Sequence, residues 1–487
     1  MNSESIQPVV VVGAGPVGLW TAAELALGGV PTVILERAVE RSPHSKALGV
    51  QPRTLEVLAM RGLAQRLVDE GRQIPTWHFG MLTNRLDYQT LDTPFPYMLA
   101  VPQVRTERVL EERAVELGVQ IRRGHTVTGL DQDEDGVLLH VTGPDGDYTL
   151  ATQYVVGADG VGSVVRTAAG IAFPGTDTTA YHYLGEVRVT ETPLVSVQNE
   201  HGAFISVRLP DGRYRFAGTD AHDNSDRGPL TMDALRTSVR RVAGTDFGMH
   251  DPGWLSRFGN ATRLAEHYRK GRVLLAGDAA HRHVPAGGVG LNVGVQDAMN
   301  LGWRLAAVVR GDADPSLLDG YHEERHAVGE ELIEHTMAQA ALISATTPET
   351  MALRSLLNTM LVDVPELALT LAQKLSALDV AYRNGGVRVR DHVALNGRPV
   401  LRTPEPGPST VAAASELGID VLVGPDTMLI RPDGHVWWAA DDADDHVVAQ
   451  ALRDVKVRFS ARGGDVVELL GGRTHGVEVA AGRGRDV

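Results

Sequence analysis

A chain of 487 residues is too long for one ordinary core, so two or three packed units are expected. Hydrophobic residues make up 43% and charged residues 22%, the balance of a globular protein and not of a disordered one. The net charge of -15, with no Lys/Arg block, argues against a nucleic-acid binder, and the absence of Cys excludes disulfides, thiolate metal sites and dithiol redox chemistry.

Met1-Asn2-Ser3-Glu4-Ser5 places no basic residue ahead of the apolar run that follows, and Glu24 interrupts that run. Neither a signal peptide nor a membrane span is expected, and a cytoplasmic location is. Val9 to Val12 predicts a strand buried on both faces. It runs into Gly13-Ala14-Gly15-Pro16-Val17-Gly18, then a helical stretch over Leu19 to Leu27, then a second strand, Val30 to Leu35, ending on Glu36. Gly13 permits the tight turn, Gly15 lets backbone approach a pyrophosphate, and Gly18 lets helix pack on strand. The helix start offers N–H groups to the phosphates. Glu36 follows Gly18 by 18 residues, close to the roughly 20 expected of a carboxylate on a ribose hydroxyl. Arg37 beside it leaves a 2'-phosphate open, and the choice between NAD and FAD is open at this point. A bare GxGxxG among 53 glycines is weak. The ordered strand, turn, helix, strand and acid make it specific against the bland alternative of a glycine-rich turn without ligand.

Trp77 to Leu99 reads as a β-like insertion that closes a pocket. Tyr154-Val155-Val156 is a strand leading into Gly157-Ala158-Asp159-Gly160, followed by Ser163 and Arg166. Between Ala180 and Arg263 the runs Leu184 to Val189, Ala203 to Leu209 and Tyr214 to Gly218, with Pro210-Asp211-Gly212 as a turn, predict an inserted antiparallel sheet. Arg272 to Leu275 is a further strand, ending in Ala276-Gly277-Asp278-Ala279-Ala280-His281. Asp278 at its carboxyl end stands where ligands of open α/β sheets bind. Pro285, Gly287, Gly288, Gly290, Leu291 and Asn292 then lead into a helix through Val309, a second place for negative charge. Helical patterns follow over Leu317 to Leu342 and Thr350 to Tyr382. Residues 390–409, rich in Pro, Gly and Arg, read as a linker, and Met428 to Trp438 as a hairpin on Pro432-Asp433-Gly434. Gly463 to Val487 carries no recognisable pattern.

On these three separated motifs the chain resembles the group A flavoprotein monooxygenases, the para-hydroxybenzoate hydroxylase family. Within it, it is most similar to the branch of aromatic-polyketide hydroxylases and rifampicin monooxygenases. Ala47 to Thr54, Val101-Pro102-Gln103 and Gln296 to Leu301 add to the likeness, which spans residues 6–345. The resemblance implies an α/β fold: a Rossmann-like FAD-binding domain (1–178 and 266–388), an inserted antiparallel β-sheet substrate domain (179–265), and a C-terminal thioredoxin-like domain (389–487) without cysteines. By the same resemblance Gly13, Gly15, Gly18, Glu36 and Arg37 surround the ADP half of FAD. Lys46 and Gln103 reach its phosphates and ribityl, Asp159 and Gly160 lie where the flavin and the nicotinamide nucleotide both pass, and Asp278 binds the ribityl. Pro285, Gly288, Gly290, Leu291 and Asn292 line the ring, with Pro285 and Gly288 as the catalytic environment. The family often has Arg where Lys46 stands, and Gln and Thr where Val289 and Val293 stand.

The implied activity is hydroxylation of an aromatic, polycyclic polyketide-type substrate through a flavin C4a-hydroperoxide, with O2 and NADPH or NADH. No second GxGxxG is evident, so the nicotinamide donor is expected to bind transiently. No nucleic acid or membrane partner is expected, and a homodimer is left open. His78, Tyr88, His182 and His201 are candidate general bases, each with a surface or packing role as its competitor. His281 and His283 lack a third metal ligand nearby, so no metal is expected. Trp437 and Trp438 read as packing residues. Baeyer–Villiger-type or rifamycin-modifying oxygenation and a dehydrogenase on the same scaffold stay open, as does a non-catalytic flavin-binding protein. The halogenase signature Trp-x-Trp-x-Ile-Pro is missing.

Overall fold

The computed structural model describes residues 6–223, 225, 228–382, 386–390, 394–440 and 444–459. The chain falls into two units, one of Met1–Val380 with Arg390–Gly397 and one of Ala381–Val389 with Arg398–Val487.

In the first unit, β1 (Gln7–Val12), α1 (Pro16–Leu27), β2 (Thr32–Glu36), α2 (Gln103–Glu116) and β3 (Gln120–Arg123) are followed by a meander of β4 (Thr126–Gln132), β5 (Val137–Gly143) and β6 (Gly146–Gly157). An insertion follows: β7 (Tyr181–Arg188), β8 (Ser196–Asn199), β9 (Gly202–Arg208), β10 (Tyr214–Asp220), α3 (Met232–Ala243) and β11 (His250–Gly259). β12 (Val273–Leu275) then returns to the first sheet, whose central order is β12-β6-β1-β2-β3, all parallel. The β-branched runs Val9–Val12 and Val33–Ile34 are buried, as parallel strands covered on both faces are, with α1 packed against β1 and β2 and the meander strand β4 against β2. β6 is long enough to serve twice, pairing with β5 antiparallel along its first part and with β1 and β12 at its end.

The inserted sheet is antiparallel throughout, in the order β8-β9-β10-β7-β11. Tyr183, Val187, Phe204 and Phe216 face Leu235 and Val239 of α3. Strand alternation therefore turns His182, Leu184, Glu186, Arg215 and Ala217 to the opposite face. The turn at Pro210-Asp211-Gly212 is present, with Gly212 at φ 83°.

α4 (Gly290–Val309) is followed by α5 (Asp319–Ile343), α6 (Pro348–Asp363) and α7 (Pro365–Ser376). The single helical stretch expected over Thr350 to Tyr382 is thus two helices. Pro365 has no N–H to continue α6, and its ring disfavours a helical Val364, so the axis bends by 103°. Among the described residues no single helix is long and apolar enough to cross a membrane. Trp77 to Leu99, expected as β-like, holds only short strands at Thr76–Trp77, Leu86–Asp87 and Met98–Ala100 around a loop and a turn of 3-10 helix.

The second unit is built from β13 (Val400–Thr403), α8 (Pro408–Leu417), β14 (Asp420–Val423), β15 (Thr427–Ile430), β16 (Val436–Ala440) and α9 (Asp445–Phe459). Its sheet order is β14-β13-β15-β16, parallel between β13 and β14 and antiparallel elsewhere. Leu401, Ala413, Leu429, Val448 and Leu452 form its core, with Trp437 and Trp438 packed against it. The linker expected over 390–409 is corrected here, because Val400–Thr403 is a buried strand inside that sheet. Gly463 to Val487 lies outside the described residues.

Candidate functional site

Three strands end side by side. Val12 pairs with Leu35 and with Gly157, and Gly157 pairs with Leu275, so the three glycine-bearing turns leave one edge of the sheet. Gly13 N–H donates to Leu35 O at 2.8 Å, Ala158 N–H to Val12 O at 2.9 Å and Ala276 N–H to Gly157 O at 3.0 Å, fastening each turn to its neighbour strand.

The first turn divides its glycines by task. Gly13 has φ 105°, and a Cβ there would stand 2.4 Å from Ala158 O. A Cβ on Gly18 would stand 1.9 Å from Gly13 O, whereas one on Gly15 would meet nothing within 4 Å. Two glycines therefore serve packing, and the third faces open space in front of the helix start. α1 has no side-chain cap, which leaves its first N–H groups toward that space. Glu36 does more than its spacing suggests, accepting from Ala14 N–H at 2.7 Å and Ala38 N–H at 2.8 Å. Arg37 beside it is exposed.

At the second turn, Asp159 Oδ2 accepts from Val165 N–H at 3.2 Å. Its Oδ1 is buried without a partner among the described residues, a costly state that a hydroxyl-bearing ligand would relieve. Gly160, at φ 80°, has open space where a side chain would be. At the third turn Asp278 is exposed, while Gly277 and Gly294 both press on Val17 of α1. Lys46 is exposed. Gln103 has both ends of its amide engaged, accepting from Ala47 N–H at 2.9 Å and donating to Glu107 at 2.7 Å.

The late loop is held in shape by residues far away in sequence. Asn292 Oδ1 accepts from Gln51 N–H at 2.8 Å, and its Nδ2 donates to Gly288 O at 2.8 Å and Gly49 O at 3.3 Å. Gln51 Nε2 at 3.1 Å and Trp77 Nε1 at 3.0 Å both donate to Gly287 O. Pro285 and Gly288 are exposed, Gly290 and Leu291 half-buried, and α4 starts without a side-chain cap. Beneath this loop His281 Nε2 and Gly277 N–H share Asp297 Oδ2 at 2.8 and 3.1 Å, and Arg325 Nε donates to Asp297 Oδ1 at 2.7 Å. Burial works to raise the Asp297 carboxyl, but Arg325 and His281 outweigh it and hold the group below the usual carboxylate value.

Of the four candidate bases, Tyr88 donates to Gln51 Oε1 at 3.2 Å, and burial pushes its hydroxyl up, so it acts as a fixed donor. His182 is stacked on Phe258, and burial lowers it. His201 lies beside Glu200 and His222. His78, stacked on Trp77, accepts from Met81 N–H through Nδ1 at 3.3 Å. Its segment is pinned by Arg354, which donates to Gly80 O at 2.6 Å, to Leu342 O at 3.2 Å and to Met81 O. The sequence reading gave no role to Gln51, Gln339, Arg354 or His335, whose importance comes from long-range contact.

Burial, with Arg85 and Arg354, takes His78 down to about 4, and burial, with His283 and Lys374, does the same to His335. Both titrate nearer 6.5 in the unfolded chain. Between those values the unfolded chain binds more protons, so stability is expected to fall as pH drops from about 6.5 toward about 4. Urea midpoints measured across that window should decline, and a flat profile would contradict the burial of these rings as neutral groups.

The FAD binding domain family model matches residues 7–336. A rifampicin monooxygenase of Streptomyces venezuelae is 42% identical over 462 residues, covering 89% of this chain and 96% of that protein. The 12-dehydrotetracycline 5-monooxygenase/anhydrotetracycline 6-monooxygenase of Streptomyces rimosus subsp. rimosus is 41% identical over 494 residues, covering 91% of this chain and 98% of that protein. Among solved structures, the OxyS anhydrotetracycline hydroxylase from Streptomyces rimosus superimposes with a TM-score of 0.85 at 40% identity, over 94% of this chain and 100% of that one.

Proposed function

This chain belongs to the FAD-dependent aromatic monooxygenases of the polyketide-hydroxylase type, and from that premise we propose that it hydroxylates a fused-ring phenolic substrate with O2 and NADPH or NADH. The observation that carries this reading is the meeting of three glycine-rich turns at one sheet edge. FAD, when bound, supplies the hydride-accepting and oxygen-activating ring.

In this reading Gly15 and the first N–H groups of α1 face the pyrophosphate, while Gly13 and Gly18 hold the turn in the shape that receives it. Glu36, with Arg37 near it, takes the adenosine ribose. Lys46 and the Gln103 region face the phosphates and ribityl. Asp159 gains a partner for its orphaned oxygen beside Gly160, and Asp278 accepts from the ribityl hydroxyls. Pro285, Gly288, Gly290, Leu291 and Asn292 line the ring, where the uncapped start of α4 stabilises negative charge. Trp77 and the segment pinned by Arg354 keep water from the reacting face. The names of the tetracycline and rifamycin relatives favour a polycyclic substrate over a simple benzoate. The second unit carries no thiol, so packing or self-association, and not dithiol chemistry, is its proposed contribution.

Purified protein should be yellow and should consume NADPH and O2 in step with a product heavier by one oxygen, tested on simple phenols, fused-ring phenols and rifamycins. Colourless protein that stays flavin-free after reconstitution, or oxidation that yields only peroxide with every substrate, would refute the reading. Asp278→Ala should weaken flavin retention about tenfold or more, since hydrogen bonds to a charged acceptor are lost. Unchanged occupancy would remove Asp278 from the site.

A further inference from the structure

We propose that His283 and His335 read a hydroxyl–carbonyl edge of the aromatic substrate, His283 Nε2 accepting the hydroxyl proton and His335 Nε2–H donating to the neighbouring carbonyl oxygen. The proposal rests on the monooxygenase reading above and deepens its substrate class.

The tautomers follow from what each ring is anchored to. His283 Nδ1 lies 2.7 Å from Val284 O, and a carbonyl only accepts, so Nδ1 carries the proton and Nε2 keeps its lone pair. That lone pair lies against the first residue of α4, since a Cβ on Gly290 would stand 2.7 Å from it. For His335 the order is reversed. Gly80 N–H donates to Gln339 Oε1 at 3.3 Å, which fixes the amide, and Gln339 Nε2 then faces His335 Nδ1 at 3.2 Å. An amide NH2 only donates, so His335 Nδ1 accepts and its Nε2 carries the proton. Gln339 in turn touches the late loop, 3.1 Å from where a Cβ on Gly287 would be.

Both rings are half-buried, and neither Nε2 has a hydrogen bond to another described residue. The pair therefore presents one acceptor and one donor beside the Gly287–Gly290 turn. A carboxylate offers acceptors alone and matches only half of that pattern. A phenol with an adjacent carbonyl, as in a hydroxyquinone or a peri-hydroxy ketone, matches both. Burial keeps both rings neutral, with His281 also acting against protonation of His283 and Asp278 favouring it, and with His283 and Lys374 acting against protonation of His335. In the step itself the substrate O–H bond breaks, an N–H bond forms at His283 Nε2, and the electron pair stays on the oxygen. That raises electron density at the ring carbons ortho and para to it. Asp278 is the negative group facing the resulting imidazolium.

The test uses the flavin-loaded full chain, with a hydroxyquinone and a matched phenol lacking the carbonyl. Binding the hydroxyquinone to the wild type should develop the phenolate absorbance band below the compound's own pKa, and no band would overturn the proposal. His283→Gln should keep its flavin, lose that band, and lower coupled hydroxylation about a hundredfold, with smaller losses for more acidic phenols. An unchanged rate, or a loss independent of phenol acidity, would overturn it. His335→Phe should raise KM about tenfold for the hydroxyquinone and leave it unchanged for the plain phenol, with His335→Gln restoring it. Equal effects on both substrates would overturn the donor role. Wild-type protein that hydroxylates neither compound, nor any phenol, overturns the monooxygenase reading itself, whereas hydroxylation of phenols without the band overturns the pair alone.

Discussion

Asp297→Asn is expected to destabilise the first unit by about 3–5 kcal/mol, the cost of removing one member of a buried charge pair. The carboxylate, Arg325 and His281 are all fully buried. One oxygen of Asp297 takes Arg325 at 2.7 Å, and the other takes both the His281 ring and Gly277 N–H. The amide replaces a charge with a dipole and turns an NH2 toward one of these donors, so the Arg325 guanidinium loses the charge of Asp297 in a place water does not reach. The same substitution loosens the turn that carries Asp278, so flavin should be lost at lower urea than in the wild type. A urea midpoint within error of the wild type would show that this network contributes no stability.

The second large effect separates two glycines of the same turn, Gly15 and Gly18. Gly18→Ala places a methyl 1.9 Å from Gly13 O and 3.4 Å from Ala158 Cβ, and the obstructing atom is backbone. Overpacking of this kind costs about 1–3 kcal/mol, and the forced shift moves the phosphate-facing turn. Both stability and flavin occupancy should fall. Gly15→Ala meets nothing within 4 Å, so the protein should fold with wild-type stability while the methyl stands in the cradle and flavin affinity drops at least tenfold. Absorbance at the flavin band and urea titration of both variants measure the contrast. Equal behaviour of the two would contradict the division of tasks between these positions.

Local pattern carried the reading wherever one segment contained its own reason. Val9–Val12, the GxGxxG turn, the helix over 290–309 and the hairpin on Pro432-Asp433-Gly434 are each explained by neighbours in sequence. The misread parts show the opposite. α3 carries its own signal within the expected sheet: Thr231 caps Ala234 N–H, Leu235, Val239 and Val242 form a buried stripe, and Gly244 closes the helix at φ 78°. The strand Val400–Thr403 was hidden because Pro and Gly around it suggest a linker, while its burial depends on β14 and β15 pairing on either side. Pro365 marks the break, and the apolar periodicity that runs across it from α6 into α7 hides the bend. At the site, the glycines and acids announce themselves by motif. Gln51, Trp77, Gln339 and Arg354 do not, because each acts on a carbonyl or amide more than 200 residues away or on a different helix.

Asn292 and Gln51 grip each other across 241 positions of chain, and this fixes a sequence of events during biosynthesis. A nascent polypeptide cannot finish the pocket until the segment around residue 292 has left the ribosome, and such long loops close slowly. Prosthetic-group capture is therefore expected to be a late event, and a product ending before that point lacks α4, leaving uncovered the side of α1 on which that helix packs.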